Sequence, residues 1–344
     1  MSLGATWAGI KVALAVEIDP HAAKTYSANH RGTEVFDCDI RRLTNARLES
    51  LRRKKGQTIV FGGPPCQGFS YSNQRTRSAD NPDSWLFTHF LRVVQVLRPD
   101  WVVFENVQGI VNTAEGLFVT EVVRRLEKNL KYRVSSGLLN AVDHGVPQDR
   151  TRFFLVASRD GVQITLPHPS VRNCLTVHDA IADLPELPNG AAISLMQYQG
   201  KPPSRFARSM RGQLRESSNH LVTRNSPSVL KRYVHIPQGG NWENIPARLM
   251  KNYRDRSRCH TGIYHRLRYD EPSVVIGNYR KNMLIHPEQD RGLSVREAAR
   301  IQSFPDWYEF HGSIGFQQQQ VGNAVPPLLA QAVFNAILCQ YSPD

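Results

Sequence analysis

Phe61-Gly62-Gly63-Pro64-Pro65-Cys66-Gln67-Gly68-Phe69-Ser70 closes the short apolar run Thr58-Ile59-Val60-Phe61, and the two together decide the fold. A β-branched run of that length, apolar throughout rather than alternating, reads as a strand that a parallel sheet buries on both faces. Gly62 and Gly63 end it, and two prolines stiffen the turn that follows. The turn delivers Cys66 to the carboxyl edge of the sheet, where open α/β folds bind their ligands, so the thiol reads as a nucleophile. An isolated Pro-Cys would read as a packed cysteine instead.

Its neighbours decide between those readings. A second run, Trp101-Val102-Val103-Phe104, ends in Glu105-Asn106-Val107, and Gln148-Asp149-Arg150-Thr151-Arg152 leads into Phe153-Phe154-Leu155-Val156-Ala157. Taken singly, a carboxylate at a strand end or an arginine pair is a solvated surface. Together, Cys66, Glu105 and the arginines at the ends of neighbouring strands form a nucleophile, a proton donor and a cation suited to one planar, polar substrate.

At this point the chain resembles the DNA cytosine-5 methyltransferase family. Pro64-Pro65-Cys66-Gln67, Glu105-Asn106-Val107 and Gln148-x-Arg150-x-Arg152 match its central motifs in order. Val16-Glu17-Ile18-Asp19, Asp39-Ile40, Leu86-Phe87, Arg296 to Pro305 and Gly322-Asn323-Ala324-Val325-Pro326-Pro327 extend the likeness across nearly the whole chain. The resemblance implies an S-adenosylmethionine cofactor and a catalytic set of Cys66, Glu105, Arg152 and Arg150. Cys66 would add to C6 of cytosine, Glu105 would protonate or hydrogen-bond N3, and Arg152 would contact O2. Arg150 would support a loop or a phosphate. Burial beside an apolar strand would raise the Glu105 pKa in the direction a proton donor needs. The target base must leave the stack to be reached, so it would be flipped into the pocket.

Cofactor contacts are expected from Glu17, Ile18, Asp39, Ile40, Pro64, Leu86, Asn323 and Ala324, with Glu17 on the ribose, Ile18 against the adenine and Asp39 on its exocyclic amine. DNA contacts are expected from Gln67 and Ser70, from Arg75 and Arg77 in a long polar segment read as a mobile lid, and from Arg254 and Arg256. No metal is expected.

Charge agrees with a double-stranded DNA partner. The 344 residues carry 43 Lys and Arg against 30 Asp and Glu, a net +13. Residues 201–300 hold 20 basic and 8 acidic side chains, so nearly all of the surplus is regional and suits phosphate contact. Arg205, Arg208, Arg211 and Arg215 recur within it at helical spacing. The five cysteines lack Cys-x-x-Cys spacing and indicate neither a disulfide framework nor a zinc site. Cys38, Cys174 and Cys339 read as packing residues. No apolar run suggests a membrane span, and no signal peptide is evident.

The expected fold class is α/β, a doubly wound, Rossmann-like methyltransferase sheet with a smaller basic target-recognition domain. Alternating strands and helices over residues 1–167 form the catalytic domain, here expected to be parallel. Residues 168–290 form the recognition domain, and residues 291–344 return as helices to the catalytic one. Ser294-Val295-Arg296-Glu297 is a capping box opening one of them. The protein is expected to be a bacterial, cytoplasmic, nucleoid-associated monomer, with a cognate restriction endonuclease as a partner in the cell. Alternatives are an RNA cytosine-5 methyltransferase and a truncated, non-catalytic DNA-binding remnant.

One departure from the family pattern bears on activity. The pattern opens with a strand and a Gly-rich loop that cups the methionine end of the cofactor, and Met1-Ser2-Leu3-Gly4 matches only the helix that follows. The strand would lie in the middle of the sheet, beside the one ending at Glu17. Its loss would expose two strand edges. The expectation is a sequence that starts late, or a damaged gene product with reduced or absent cofactor binding.

Overall fold

The computed structural model describes residues 1–52, 56–64, 86–171, 173–251, 262–277, 279 and 284–340. Helix α1 (Ser2–Trp7) leads to strand β1 (Leu14–Glu17), helix α2 (Pro20–Asn29), strand β2 (Glu34–Asp37) and helix α3 (Asn45–Ser50). Strand β3 (Ile59–Gly62), helix α4 (Leu86–Leu97), strand β4 (Trp101–Val107) and helix α5 (Leu117–Arg124) follow. The chain then forms β5 (Arg133–Asn140) and β6 (Thr151–Ser158). Local chemistry starts these elements where expected. Asp19 caps α2 by accepting from the backbone N–H groups of His21 and Ala22 at 2.8 and 2.9 Å, with Pro20 in the first turn.

Four strands pair in the order β3-β4-β6-β5, and β1 pairs separately with β2. Both β1–β2 and β3–β4 are parallel, whereas β6 runs antiparallel to β4 and to β5. The all-parallel expectation therefore fails at β6. Residues 141–150 join β5 to β6 without a crossover helix, and a connection that short can only turn the chain back. The reversal puts the start of β6 beside the end of β4, pairing Arg152 with Val107.

Period-2 alternation builds the core around β4. Trp101 and Val103 pack with Phe154 and Val156 against a C-terminal helix, and Val102 and Phe104 pack with Phe153 and Leu155 against α4 and α5. That C-terminal helix approaches α1 so closely that a Cβ on Gly4 would stand 2.5 Å from the Pro327 carbonyl oxygen.

Residues beyond 167 continue with α6 (Val177–Ile181), β7 (Ala192–Gln197), α7 (Arg205–Arg211), β8 (Glu216–Leu221) and α8 (Pro227–Tyr233), and β7 pairs antiparallel with β8. Three helices end the described chain, α9 (Val295–Ile301), α10 (Ile314–Asn323) and α11 (Pro327–Gln340). The Ser294–Glu297 capping box is present. A second core joins Val177, Ile181, Phe206, Met210, Leu284, Val295, Ile301 and Phe310. It is crossed by buried ion pairs: Arg300 holds Asp306 at 2.7 Å and Asp183 at 2.9 Å, and Arg291 holds Glu297 at 2.6 Å.

By length and composition, Ile314–Gln340 is apolar enough to cross a membrane. Here it is a core element interrupted at Pro326: Leu329, Ala330, Val333, Phe334 and Ile337 are fully buried under the sheet. Cys174 and Cys339 are exposed and Cys38 is partly buried. The packing role assigned to the first two is therefore wrong, because each lies on an outward face.

Candidate active site

Glu105 sits near the carboxyl end of β4, buried at the edge shared with the end of β3 and the start of β6. Gly63, just after β3, touches it: a Cβ there would lie 2.6 Å from Glu105 Oε2. Only glycine leaves room for the carboxylate. Arg152 reaches the other oxygen, with Nε 3.4 Å from Oε1, and also donates to the Thr151 carbonyl at 2.8 Å. Burial pushes the Glu105 carboxyl up, and the Arg152 and Arg150 guanidinium groups oppose the shift. The carboxyl thus keeps a proton more readily than an exposed one, as the sequence reading required.

Asn106 fixes the backbone on the same edge. Its Nδ2 donates to the Pro64 carbonyl at 3.0 Å, and its Oδ1 accepts from the Val107 N–H. The chain leading toward Cys66 is thereby tied to β4. Sequence reasoning quoted Asn106 within a motif but gave it no task, since a bond across 42 residues leaves no local signal.

Arg150 is buried and directs its guanidinium at main-chain carbonyls: Ile276 at 2.8 Å, Gly322 at 2.8 Å and Ala324 at 3.1 Å. Gln148, also buried, accepts from the Ile276 N–H at 2.9 Å and donates to Gln302 Oε1, and Gln302 donates to the Val321 carbonyl. Gly277 and Gly322 meet within this network so tightly that a Cβ on Gly322 would overlap the Gly277 carbonyl. Gln148 and Gln302 therefore join Arg150 in holding two turns together, one of them ending at Asn323. Neither carried a role in the sequence reading.

Glu17, Ile18, Asp39, Ile40, Pro64, Leu86, Asn323 and Ala324 all border one cavity of about 1550 Å³, which also reaches Glu105. Ile18 keeps 63% of its surface exposed at the end of β1, an apolar face suited to a flat aromatic ring. Glu17 accepts from the Asp19 N–H at 3.0 Å. The hydrogen bonds of Arg41 to Asp39 hold that carboxyl down at about 2, so it stays charged and able to accept. Two carboxylates, Glu17 and Asp39, and the apolar face of Ile18 therefore share one rim of the cavity, a donor set whose chemistry fits a ribose and a purine ring. Toward the other end the cavity continues between β1 and β3, lined by residues 10–16 and 57–61.

Cys66, Gln67, Ser70, Arg75, Arg77, Arg254 and Arg256 lie outside the described residues. Of the regularly spaced arginines, Arg205, Arg208 and Arg215 are exposed. Arg211 instead turns inward, stacks on the Tyr198 ring at 3.8 Å and donates to the Gly200 carbonyl.

A family model described as C-5 cytosine-specific DNA methylase matches residues 1–339. The type II methyltransferase M1.HphI of Haemophilus parahaemolyticus is 38% identical over 339 residues, covering 98% of this chain and 83% of that protein. M.DdeI, a type II methyltransferase of Desulfomicrobium norvegicum, is 33% identical over 359 residues, covering 98% and 85%. Among solved structures, a DNA modification methyltransferase encoded within an E. coli prophage superposes with a TM-score of 0.79 at 26% identity, covering 98% of this chain and 95% of its own. The S. pombe Dnmt2 methyltransferase, at TM-score 0.59 and 19% identity, covers 98% and 94% and shares the fold.

Proposed function

The chain belongs to the C-5 cytosine-specific DNA methylase family, and from that premise we propose how its residues divide the work. The reaction is transfer of a methyl group from S-adenosylmethionine to C5 of a cytosine in DNA. C5 is too weak a nucleophile to take a methyl group unaided. The Cys66 thiolate therefore adds to C6, which leaves C5 enamine-like. Negative charge otherwise building on the ring is met at N3 by Glu105, whose burial favours the protonated form. Arg152, whose Nε lies 3.4 Å from Glu105 Oε1, contacts O2 in this account. After the methyl group arrives, loss of the C5 proton and elimination release Cys66.

Arg150 is a positioning residue in this account, because its Nη1 and Nη2 are bound to three main-chain carbonyls. S-adenosylmethionine supplies the electrophilic methyl group; Glu17, Ile18, Asp39, Ile40, Pro64, Leu86, Asn323 and Ala324 would hold it. Residues 1–167 carry the chemistry, residues 168–290 recognise the DNA sequence, and residues 291–344 close the catalytic part. Gln67, Ser70, Arg75, Arg77, Arg254 and Arg256 are assigned to DNA. The type II methyltransferase names of the bacterial relatives support a modification role beside a cognate restriction endonuclease; we propose in addition that a monomer carries it out in the cytoplasm, associated with the nucleoid.

The observation that carries this reading is the meeting of Glu105, Arg152 and Gly63 at one strand edge, above a cavity lined by all eight expected cofactor residues. The test is incorporation of labelled methyl from S-adenosylmethionine into mixed-sequence duplex DNA, read as 5-methylcytosine. Cys66→Ser should abolish incorporation and leave duplex affinity largely intact. Unchanged incorporation in that variant would remove the thiol from the mechanism. Charge reversal at Arg254 and Arg256 should weaken duplex binding and flatten its salt dependence.

A further inference from the structure

Helix α7 keeps its charge on one side. Residues 201–215 hold five cations, Lys201, Arg205, Arg208, Arg211 and Arg215, and no acid. Phe206, Ala207 and Met210 turn into the interior, so Arg205 and Arg208, one turn apart, share the outward face. Arg211 is occupied by Tyr198 and the Gly200 carbonyl. The other four cations are exposed. The carboxylates packed behind the helix serve other groups, Asp183 and Asp306 being held by Arg300 and Asp306 also by the Tyr198 hydroxyl. Among the described residues, Lys201, Arg205, Arg208 and Arg215 form no ion pair.

An aromatic ring stands at the end of this face. Asp306 N–H donates to the Met210 carbonyl in the last turn of α7 at 2.9 Å, which sets Trp307 beside that turn with 46% of its surface exposed. The same stretch fixes where the patch lies. Asn29, at the end of α2, donates to the Glu309 carbonyl and accepts from its N–H. Helix α2 leaves the carboxyl end of β1, and only residues 30–33 separate it from β2, whose first residue pairs with the first of β1. A connection that short keeps Asn29 near the amino ends of both strands. Trp307 and the last turn of α7 therefore lie on the side away from the edge that holds Glu105.

Cations without counter-charge attract phosphate, and a half-exposed indole offers a face to a base. A duplex presents its phosphates but keeps its bases stacked inside, whereas a single strand presents both. We propose that Lys201, Arg205, Arg208, Arg215 and Trp307 form a second nucleic-acid site, which takes a single strand of DNA apart from the target cytosine. Its phosphates lie on the cations and one base stacks on the indole. Cations and a ring read no base edge, so the site accepts any sequence.

The test is titration of the full chain with a thymidine oligomer of about eight nucleotides, followed by tryptophan fluorescence and by anisotropy of a labelled oligomer. Neither readout needs methyl transfer, so the result stands apart from that chemistry. The oligomer should quench the fluorescence with half-saturation at about 1–100 μM, and a saturating mixed-sequence duplex should leave it bound. Trp307→Leu should remove the quench and weaken the oligomer about tenfold. Arg205→Gln with Arg208→Gln should lower the slope of log affinity against log salt by about 1.4. If a variant does not fold, the wild-type titration with and without duplex still decides. Binding without quench, a quench that survives in Trp307→Leu, or an unchanged salt slope would overturn the proposal. So would displacement of the oligomer by the duplex, which would move it to the catalytic edge or give the patch to duplex DNA, and so would tighter binding of the matching uridine oligomer, which would give the patch to RNA.

Discussion

Strand β4 and its neighbour β3 have similar sequences and different surroundings. Trp101 to Asn106 are all buried, while every residue of β3, and of β1 across the cavity, is only partly covered. Apolar, β-branched composition is enough to make a strand in each case. Burial is then set by what stands on either side. β4 lies between β3 and β6 with helices on both faces, whereas β1 and β3 face each other across a cavity. The sealed half supplies the rigidity that fixes Glu105, and the open half supplies the room.

Glu105 stands where the halves meet, and changing it should have the largest effect. Glu105→Gln keeps the shape but cannot give up a proton, so methyl transfer should fall by roughly 10²–10⁴-fold with duplex affinity retained. Because burial raises the wild-type pKa, wild-type activity should decline as pH rises through that raised value. The Gln variant should lose this dependence in single-turnover rates. A variant with the wild-type profile would take the proton donor elsewhere.

The sealed character extends to the second core, where it can be tested by acid. Burial alone would push Glu297 up, but the Arg291 guanidinium overrides it and holds the carboxyl down at about 2. A depressed carboxylate contributes stability above its ordinary value near 4.5, and that contribution is lost as pH falls toward about 2. Glu297→Gln should therefore cost about 3–5 kcal/mol at pH 7, with the deficit shrinking by pH 3 in urea denaturation. A deficit independent of pH would mean the ion pair adds nothing.

A matched pair of truncations probes the comparison directly. Phe154→Ala, at a fully buried position of β6, should cost about 3–5 kcal/mol. Phe61→Ala, on partly covered β3 with an edge-on contact to Phe334, should cost about 1–2 kcal/mol because part of its surface is already wet. Equal losses would show that β3 is as dry at Phe61 as β6 is at Phe154. The smallest effect belongs to Ile18→Ala: removing an exposed apolar face should weaken S-adenosylmethionine binding about fivefold by equilibrium dialysis. Unchanged affinity would move the adenine away from β1.

Legibility in the sequence followed the same division. β3 and β4 could be read because their apolar runs stop at glycine or at Glu105. β5 was missed because Ser135-Ser136-Gly137 interrupts its apolar pattern on an exposed edge. The expected cofactor residues do border one cavity, since each lies at a strand end or helix turn that topology brings to one edge. The carbonyl partners of Arg150 were out of reach at 126 to 174 residues away. Arg211 shares its spacing with Arg205 and Arg208, yet Tyr198 claims it. Spacing places a side chain on a face and says nothing of what waits there.

The shared second core also bears on how the proposed recognition part could be exchanged. A graft exchanged at residues 168 and 290 would lift Val177, Phe206 and Leu284 away from Val295, Ile301 and Phe310, with which they pack. It would also separate Asp183 from Arg300. The stretch from Ser226 to Tyr264 has a small core of its own. Tyr233, Ile236, Ile245, Met250 and Tyr264 cluster there, Arg232 donates to the Tyr264 hydroxyl, and Ile285 joins them from outside. Exchanging that inner block would leave the second core in place and would instead part the buried Arg266 from the Tyr233 and Ile236 carbonyls it holds.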